Sequence, residues 1–150
     1  MASTTFSGPV TSTNGFIGAI TGLETVTTLT AASTLTAAQS NTIFFLRSAT
    51  EFSTTLPAPA AGLMYTFIVG AAPSGADYKI LTSASANIIK GQAYPSSGAA
   101  GDSGTSDDTI NFVDAQAVAG DQVTVISNGT SWFAKALCAV AAGVTFTTTS

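Results

Sequence analysis

The sequence predicts an all-β protein, a β-sandwich or a jelly-roll-like barrel with an extended N-terminal arm. Three observations carry that prediction. Thr, Val, Ile and Phe dominate the periodic segments, and β-branched and aromatic side chains fit a pleated, half-buried surface. Short runs of these residues are separated by clusters of Gly, Pro, Ser and Asn, the punctuation of a sandwich or barrel. No window of about a dozen residues shows a capped helical stripe.

Residues 1–15 hold Ser, Thr and Gly around an isolated Phe6 and Val10, too few apolar groups to order the segment alone. They read as an extended arm that orders on a neighbour, with 16–150 as a single β domain. Strands are predicted at 16–20, 23–30, 42–47, 53–56, 64–69, 78–82, 87–90, 109–113, 122–127, 131–137 and 144–147. The sharpest local signal is the hairpin near the C-terminus. Val123 and Val125 alternate with Gln122 and Thr124, and Asn128-Gly129 then tolerates the positive φ of a tight turn. Trp132 and Phe133 follow on adjacent positions, so one faces inward and the other outward or toward a partner.

Two unbroken apolar runs, Ile43-Phe44-Phe45-Leu46 and Phe67-Ile68-Val69, suit strands covered on both faces, in a sandwich interior or at a subunit contact. Residues 91–107 are Gly- and Ser-rich with no strand pattern and read as a long loop.

Only 8% of the residues are charged, against about a quarter in an ordinary soluble domain, and there is no histidine. The usual proton shuttle and commonest metal ligand is therefore missing. Arg47, Lys79, Lys90 and Lys135 stand singly and form no basic patch, so no nucleic-acid partner is expected. The mass of 14.9 kDa fits one domain, long enough to bury a core. Cys138 is the only cysteine, sits among apolar neighbours and reads as a small buried hydrophobe.

The N-terminus lacks the basic and apolar regions of a signal peptide. The longest apolar stretch, 56–72, contains Pro57, Pro59 and Tyr65 and is short of a membrane span. A soluble chain in a reducing compartment, with no membrane partner, is expected.

Candidate reactive sites are weak. Gly101-Asp102-Ser103-Gly104 matches the surroundings of a serine-protease nucleophile, but the chain has no histidine to serve as base. Asp102, Asp107 and Asp108 offer oxygens to a calcium ion at a spacing that fits no calcium loop, so a solvated acidic loop is the better reading. Asn128-Gly129-Thr130 satisfies the glycosylation rule, and a hairpin turn accounts for it fully. Nothing pairs Glu24 with Glu51 as a glycosidase dyad. No catalytic residue, metal or cofactor is expected.

Three stretches carry a resemblance: TFSGPVTSTNGFIG; TLTAAQSNTIFFL followed by TTLPAPAAGLMYTFIVG; and GDQVTVISNGTSWFAKA with the terminal AAGVTFT. Together they resemble small capsid decoration (cement) proteins of tailed bacteriophages, over most of the chain except 91–107. The resemblance implies a non-enzymatic β-domain made in the host cytoplasm and displayed on the outer capsid surface of the virion. It implies homotrimers that clamp neighbouring capsomers of the phage major capsid protein. Phe6, Val10, Phe16 and Ile17 are expected to mediate arm docking, and Val144 and Phe146 to pair at a partner interface, because they are isolated apolar residues in polar end segments. The alternative is a receptor- or glycan-binding module of a fibre or tail. Recognition would then fall to the 91–107 loop and the outward aromatic of the Trp132/Phe133 pair.

Overall fold

The computed structural model describes residues 25–148. Among them twelve strands form two mixed sheets packed as a β-sandwich, the architecture the sequence predicts. The strands are β1 Thr25–Leu29, β2 Ser33–Thr34, β3 Thr42–Leu46, β4 Ser53–Thr55, β5 Met64–Val69, β6 Tyr78–Leu81, β7 Ile89–Pro95, β8 Ser103–Asp107, β9 Thr109–Phe112, β10 Gln122–Ser127, β11 Trp132–Cys138 and β12 Val144–Thr147. One sheet has the order β1-β3-β5-β10-β11-β7-β8, the other β12-β9-β6-β4-β2. The predicted arm at 1–15 and the predicted strand at 16–20 lie outside the described residues.

From β1 to β6 the chain winds as a coil, each turn adding one strand to each sheet. Odd-numbered strands therefore pair in parallel in one sheet and even-numbered strands in the other. Antiparallel pairing enters after β6: β8 pairs with β7, β9 with β6, and β10 joins β5 to the predicted hairpin partner β11. The hairpin forms as the Asn128-Gly129 signal requires. Gly129 sits at φ 104, and Asn128 Oδ1 accepts hydrogen bonds from the backbone N–H groups of Thr130 and Ser131.

Strict alternation fills the space between the sheets. Phe44, Leu46, Tyr65, Phe67, Val123, Val125, Trp132 and Ala136 point inward from the seven-stranded sheet and meet Tyr78, Ile80, Ile110, Phe112 and Val144. Aromatic rings concentrate the packing. Phe44 stacks on Phe67 at 5.5 Å between centroids, and Tyr65 meets Trp132 at 5.8 Å. Such pairs add about 0.5–1.5 kcal/mol beyond area burial. The buried tyrosines also keep their hydroxyls bonded: Tyr65 donates to the Thr36 carbonyl at 2.9 Å, and Tyr78 accepts the Ser48 N–H at 3.0 Å.

The stretch 91–107, expected as a strandless loop, corrects that reading. β7 continues through it to Pro95 and β8 returns at Ser103–Asp107, leaving a turn at 96–102. The glycines that suggest a loop serve close approach instead. A Cβ on Gly91 would run into the Ala134 carbonyl of the adjoining β11, and one on Gly104 would sit 2.9 Å from the Phe146 side chain.

β8 and β9 are separated only by the buried Asp108, where the chain steps from one sheet to the other. Asp102 closes the same side of the sandwich, its Oδ2 accepting the Phe146 N–H at 2.7 Å. Among the described residues, no helix is long and apolar enough to cross a membrane.

Candidate functional site

The outward positions of the seven-stranded sheet form a continuous surface whose composition departs from the rest of the molecule. Because the strands stand in register, these positions fall into rows. One row runs Met64, Ile126, Phe133, Lys90. The next runs Val26, Ile43, Thr66, Thr124, Lys135, Gln92. The third runs Thr28, Phe45, Ile68, Gln122, Leu137, Tyr94. Apolar and hydroxyl groups dominate. Two lysines are the only charges in these rows, and no carboxylate appears.

Val26, Tyr94, Ile126, Phe133 and Leu137 are 46% exposed or more, and they make up most of the exposed large hydrophobics among the described residues. Contiguous apolar surface of this kind marks an interaction site rather than a solvated face.

At the β7–β11 end the face dips into a shallow depression of about 270 Å³. Its floor is the backbone of Gly91 and Ala134, and its rim is Lys90, Gln92, Tyr94, Phe133 and Lys135. The Lys135 ammonium lies 5.8 Å from the centre of the Tyr94 ring, a cation–π contact, and the Tyr94 hydroxyl donates to Gln92 Oε1 at 2.7 Å. In the middle of the sheet the Thr66 and Thr124 hydroxyls bond each other across the β5–β10 pair at 3.0 Å.

The residues singled out in the sequence fall in different places. Phe6, Val10, Phe16 and Ile17 lie outside the described residues. Val144 and Phe146 do not fit the partner contact expected for them. β12 pairs with β9 of the same chain, and both side chains are buried in its own core. Their isolation in a polar tail reflects period-two alternation: Val144 and Phe146 point inward while Thr145 and Thr147 point outward. Trp132 is the inward member of its pair, fully buried, and Phe133 is the outward one.

The acidic cluster is dispersed into structural tasks. Asp102 holds Ser103 and Phe146, Asp108 Oδ1 accepts the Thr109 hydroxyl at 2.6 Å, and Asp107 Oδ1 is 3.5 Å from the Thr148 hydroxyl. No group of three or more His, Cys, Asp or Glu side chains stands ready to hold a metal ion among the described residues. Cys138 is buried. Desolvation pushes its thiol pKa up, the nearby Asp121 carboxylate adds to the rise, and a hydrogen bond with the Val144 backbone opposes it.

Part of this face was readable in advance. The unbroken runs at 43–46 and 67–69 place Phe44, Leu46, Phe67 and Val69 in the core and leave Ile43, Phe45 and Ile68 outward. Ile126, Leu137 and Tyr94 carry no such signal, because only the register of β10, β11 and β7 brings them alongside. The chain matches no known family model, no curated protein and no solved structure.

Proposed function

We propose that this chain is a structural virion protein that decorates and stabilises a phage capsid, bridging capsomers of the major capsid protein as a homotrimer. The observation that carries this reading is the carboxylate-free, apolar-and-hydroxyl outer face of the seven-stranded sheet, which is built to be covered. The resemblance of the sequence to capsid decoration proteins supports it independently. The clamp follows from symmetry. Each protomer makes a modest contact, and three linked contacts exceed one by roughly 10²–10⁴ in avidity when the geometry lets them bind together. Phe6, Val10, Phe16 and Ile17 are proposed to tie protomers to one another.

The test has two parts. Light scattering should give a solution mass near three times 14.9 kDa. Particles carrying the protein should withstand heating that opens particles stripped of it. A monomer that leaves particle stability unchanged refutes the proposal.

A second reading, a receptor- or glycan-binding module, is favoured by one observation. Phe133 and Tyr94 stand exposed beside two lysines around the depression over Gly91. Binding of the isolated protein to a glycan array would select it.

A further inference from the structure

We infer, resting on the homotrimer of the decoration reading, that the β7–β11 end of the seven-stranded face is a contact between copies of this chain, where Lys90 and Lys135 of one protomer meet the carboxylates of Glu51, Asp77 and Asp114 of the next. Charge complementarity decides the occupant. Lys90 stands opposite Phe133 across the β7–β11 pair, and Lys135 is two residues further along β11. Strands about 4.8 Å apart with a rise of about 3.3 Å per residue put these two positions roughly 8 Å apart, so both ammonium groups can enter one site. The outward rows around them hold no carboxylate, and Lys135 leans on the Tyr94 ring.

The receiving site belongs to the other sheet. A depression of about 530 Å³ opens where β4 and β6 begin and β9 ends, and Glu51, Asp77, Asp114 and Lys79 line it. Each carboxylate is held by one of its oxygens. Glu51 Oε1 accepts the Ser74 N–H at 2.7 Å, Asp77 Oδ1 the Asp114 N–H at 2.7 Å and Asp114 Oδ1 the Gly75 N–H at 2.9 Å. The carboxylates are thereby oriented before any partner arrives. Three carboxylates and one ammonium give this lining a net charge of −2, and Lys90 with Lys135 supplies +2. Charge-assisted hydrogen bonds between the two patches are about twice as strong as neutral ones. Phe133 and Tyr94, 46% and 49% exposed, flank the lysines and would be covered with them.

The pairing is heterologous, and that favours a ring. Two copies meeting through the same β7–β11 patch would bring four ammonium groups together with no carboxylate in the rows to receive them. Uncompensated desolvation of that kind costs several kcal/mol per ion. Copies meeting through unlike patches leave one lysine pair and one acidic depression unused at the ends of every open chain. Closing the ring uses them all, each protomer giving its lysines to one neighbour and its carboxylates to the other. A face on one sheet set against the rim of the other also turns successive copies instead of stacking them, as closure requires.

The test compares the solution mass of wild type, Lys90→Glu/Lys135→Glu, Glu51→Lys/Asp114→Lys and the four substitutions combined. Light scattering across a dilution series reads assembly, and far-UV circular dichroism checks folding. Wild type should show a mass near three times 14.9 kDa. Each pair of reversals should raise the concentration at which half of the protein is assembled by at least about tenfold. The combined chain, in which the charges are exchanged rather than opposed, should regain most of the assembly. Glu51→Gln/Asp77→Asn/Asp114→Asn keeps the oxygens that hold the three backbone N–H groups, so it should weaken assembly with an unchanged spectrum. It decides the matter where the lysine reversals fail to fold.

An assembled mass unchanged in Lys90→Glu/Lys135→Glu, or a combined chain no better assembled than either parent, would overturn the inference. Heating virus particles with wild type bound separates that failure from failure of the decoration reading. Particles protected by wild type leave the reading standing beside either result. A monomeric wild type overturns the inference as well, and it removes the decoration reading only where particle stability is also unchanged.

Discussion

The two sheets share one core and differ in what they turn outward. The five-stranded sheet carries Ser53, Lys79, Asn111 and Thr145 in one outer row and Thr55, Leu81, Thr109 and Thr147 in the other, with Asn111 and Thr109 on β9 themselves buried. Asn111 is drawn down onto this surface, its side-chain amide donating to the Thr147 hydroxyl at 2.9 Å and the Thr145 hydroxyl at 3.3 Å. The seven-stranded sheet presents Ile, Phe, Met, Leu and Val on the same pleat. An antiparallel or mixed sheet with one solvated face carries polar residues outward, and the five-stranded sheet obeys that rule. The seven-stranded sheet breaks it. Folding does not require the breach, since the outward residues add little to the core, so the apolar face is better explained by contact than by stability.

The strongest way to break the comparison uses neighbours on β11. Trp132→Ala should cost about 3–5 kcal/mol, the range for truncating a buried large aromatic, because Trp132 is fully buried against Tyr65. Phe133→Ala, one residue along and 46% exposed, should stay within about 0.5 kcal/mol of wild type. Urea denaturation midpoints at unchanged slope measure both. Similar losses at the two positions would erase the distinction between a core side and a contact side.

A smaller effect sharpens how the sandwich is closed. Asp102→Ala removes the acceptor of the Phe146 N–H and should cost about 1–3 kcal/mol, while Asp102→Asn keeps one carbonyl oxygen and should recover most of it. Amide exchange at Phe146 should accelerate in the alanine variant ahead of exchange in β10. Unchanged protection at Phe146 would mean that β12 is held by β9 alone.

The outer faces themselves can be compared with an apolar dye. Ile68→Thr/Ile126→Thr should lower the binding of a fluorescent hydrophobic probe several-fold with little change in melting temperature, since both side chains lie on the outward rows. Leu81→Thr on the five-stranded sheet should leave the dye signal unchanged, because its neighbours Thr55 and Thr109 are polar. Equal responses would mean that exposed hydrophobics are scattered rather than gathered on one face.

Much of the fold was legible because alternation is a local property. The strands at 64–69, 122–127 and 144–147 have the predicted bounds. The inward and outward roles of Trp132 and Phe133 follow from adjacency alone. Three features were not legible, each for a non-local reason. Parallel coiling of β1 to β6 depends on how far each connection travels. β8 hides in SGTSD, where small residues mark a strand pressed against Phe146 rather than a loop. Val144 and Phe146 read as tail residues because nothing in the sequence says that β9 lies beside them. The apolar face was half legible. Its β3–β5 part appears as unbroken runs, while its β10, β11 and β7 part is assembled only by register.

The smallest effect concerns the acids of the core under alkaline conditions. Burial raises the pKa of the Tyr65 hydroxyl above its ordinary 10.0, and it is the largest cause raising the Cys138 thiol above its ordinary 9.0. A raised acid keeps its proton in the folded state while the unfolded chain releases it. Above pH 9.0 the unfolded state therefore binds fewer protons than the native one, and the unfolding free energy falls with pH. Below that pH both states hold the proton and neither group contributes any slope. Stability should be flat with respect to these two groups from neutral pH to about 9 and then decline, first through Cys138 and then through Tyr65. Cys138→Ser should remove the earlier part of the decline and leave the later part. A wild-type decline that begins at the same pH in the serine variant would place the alkaline sensitivity outside the core and leave Cys138 a simple space-filling residue beneath β12.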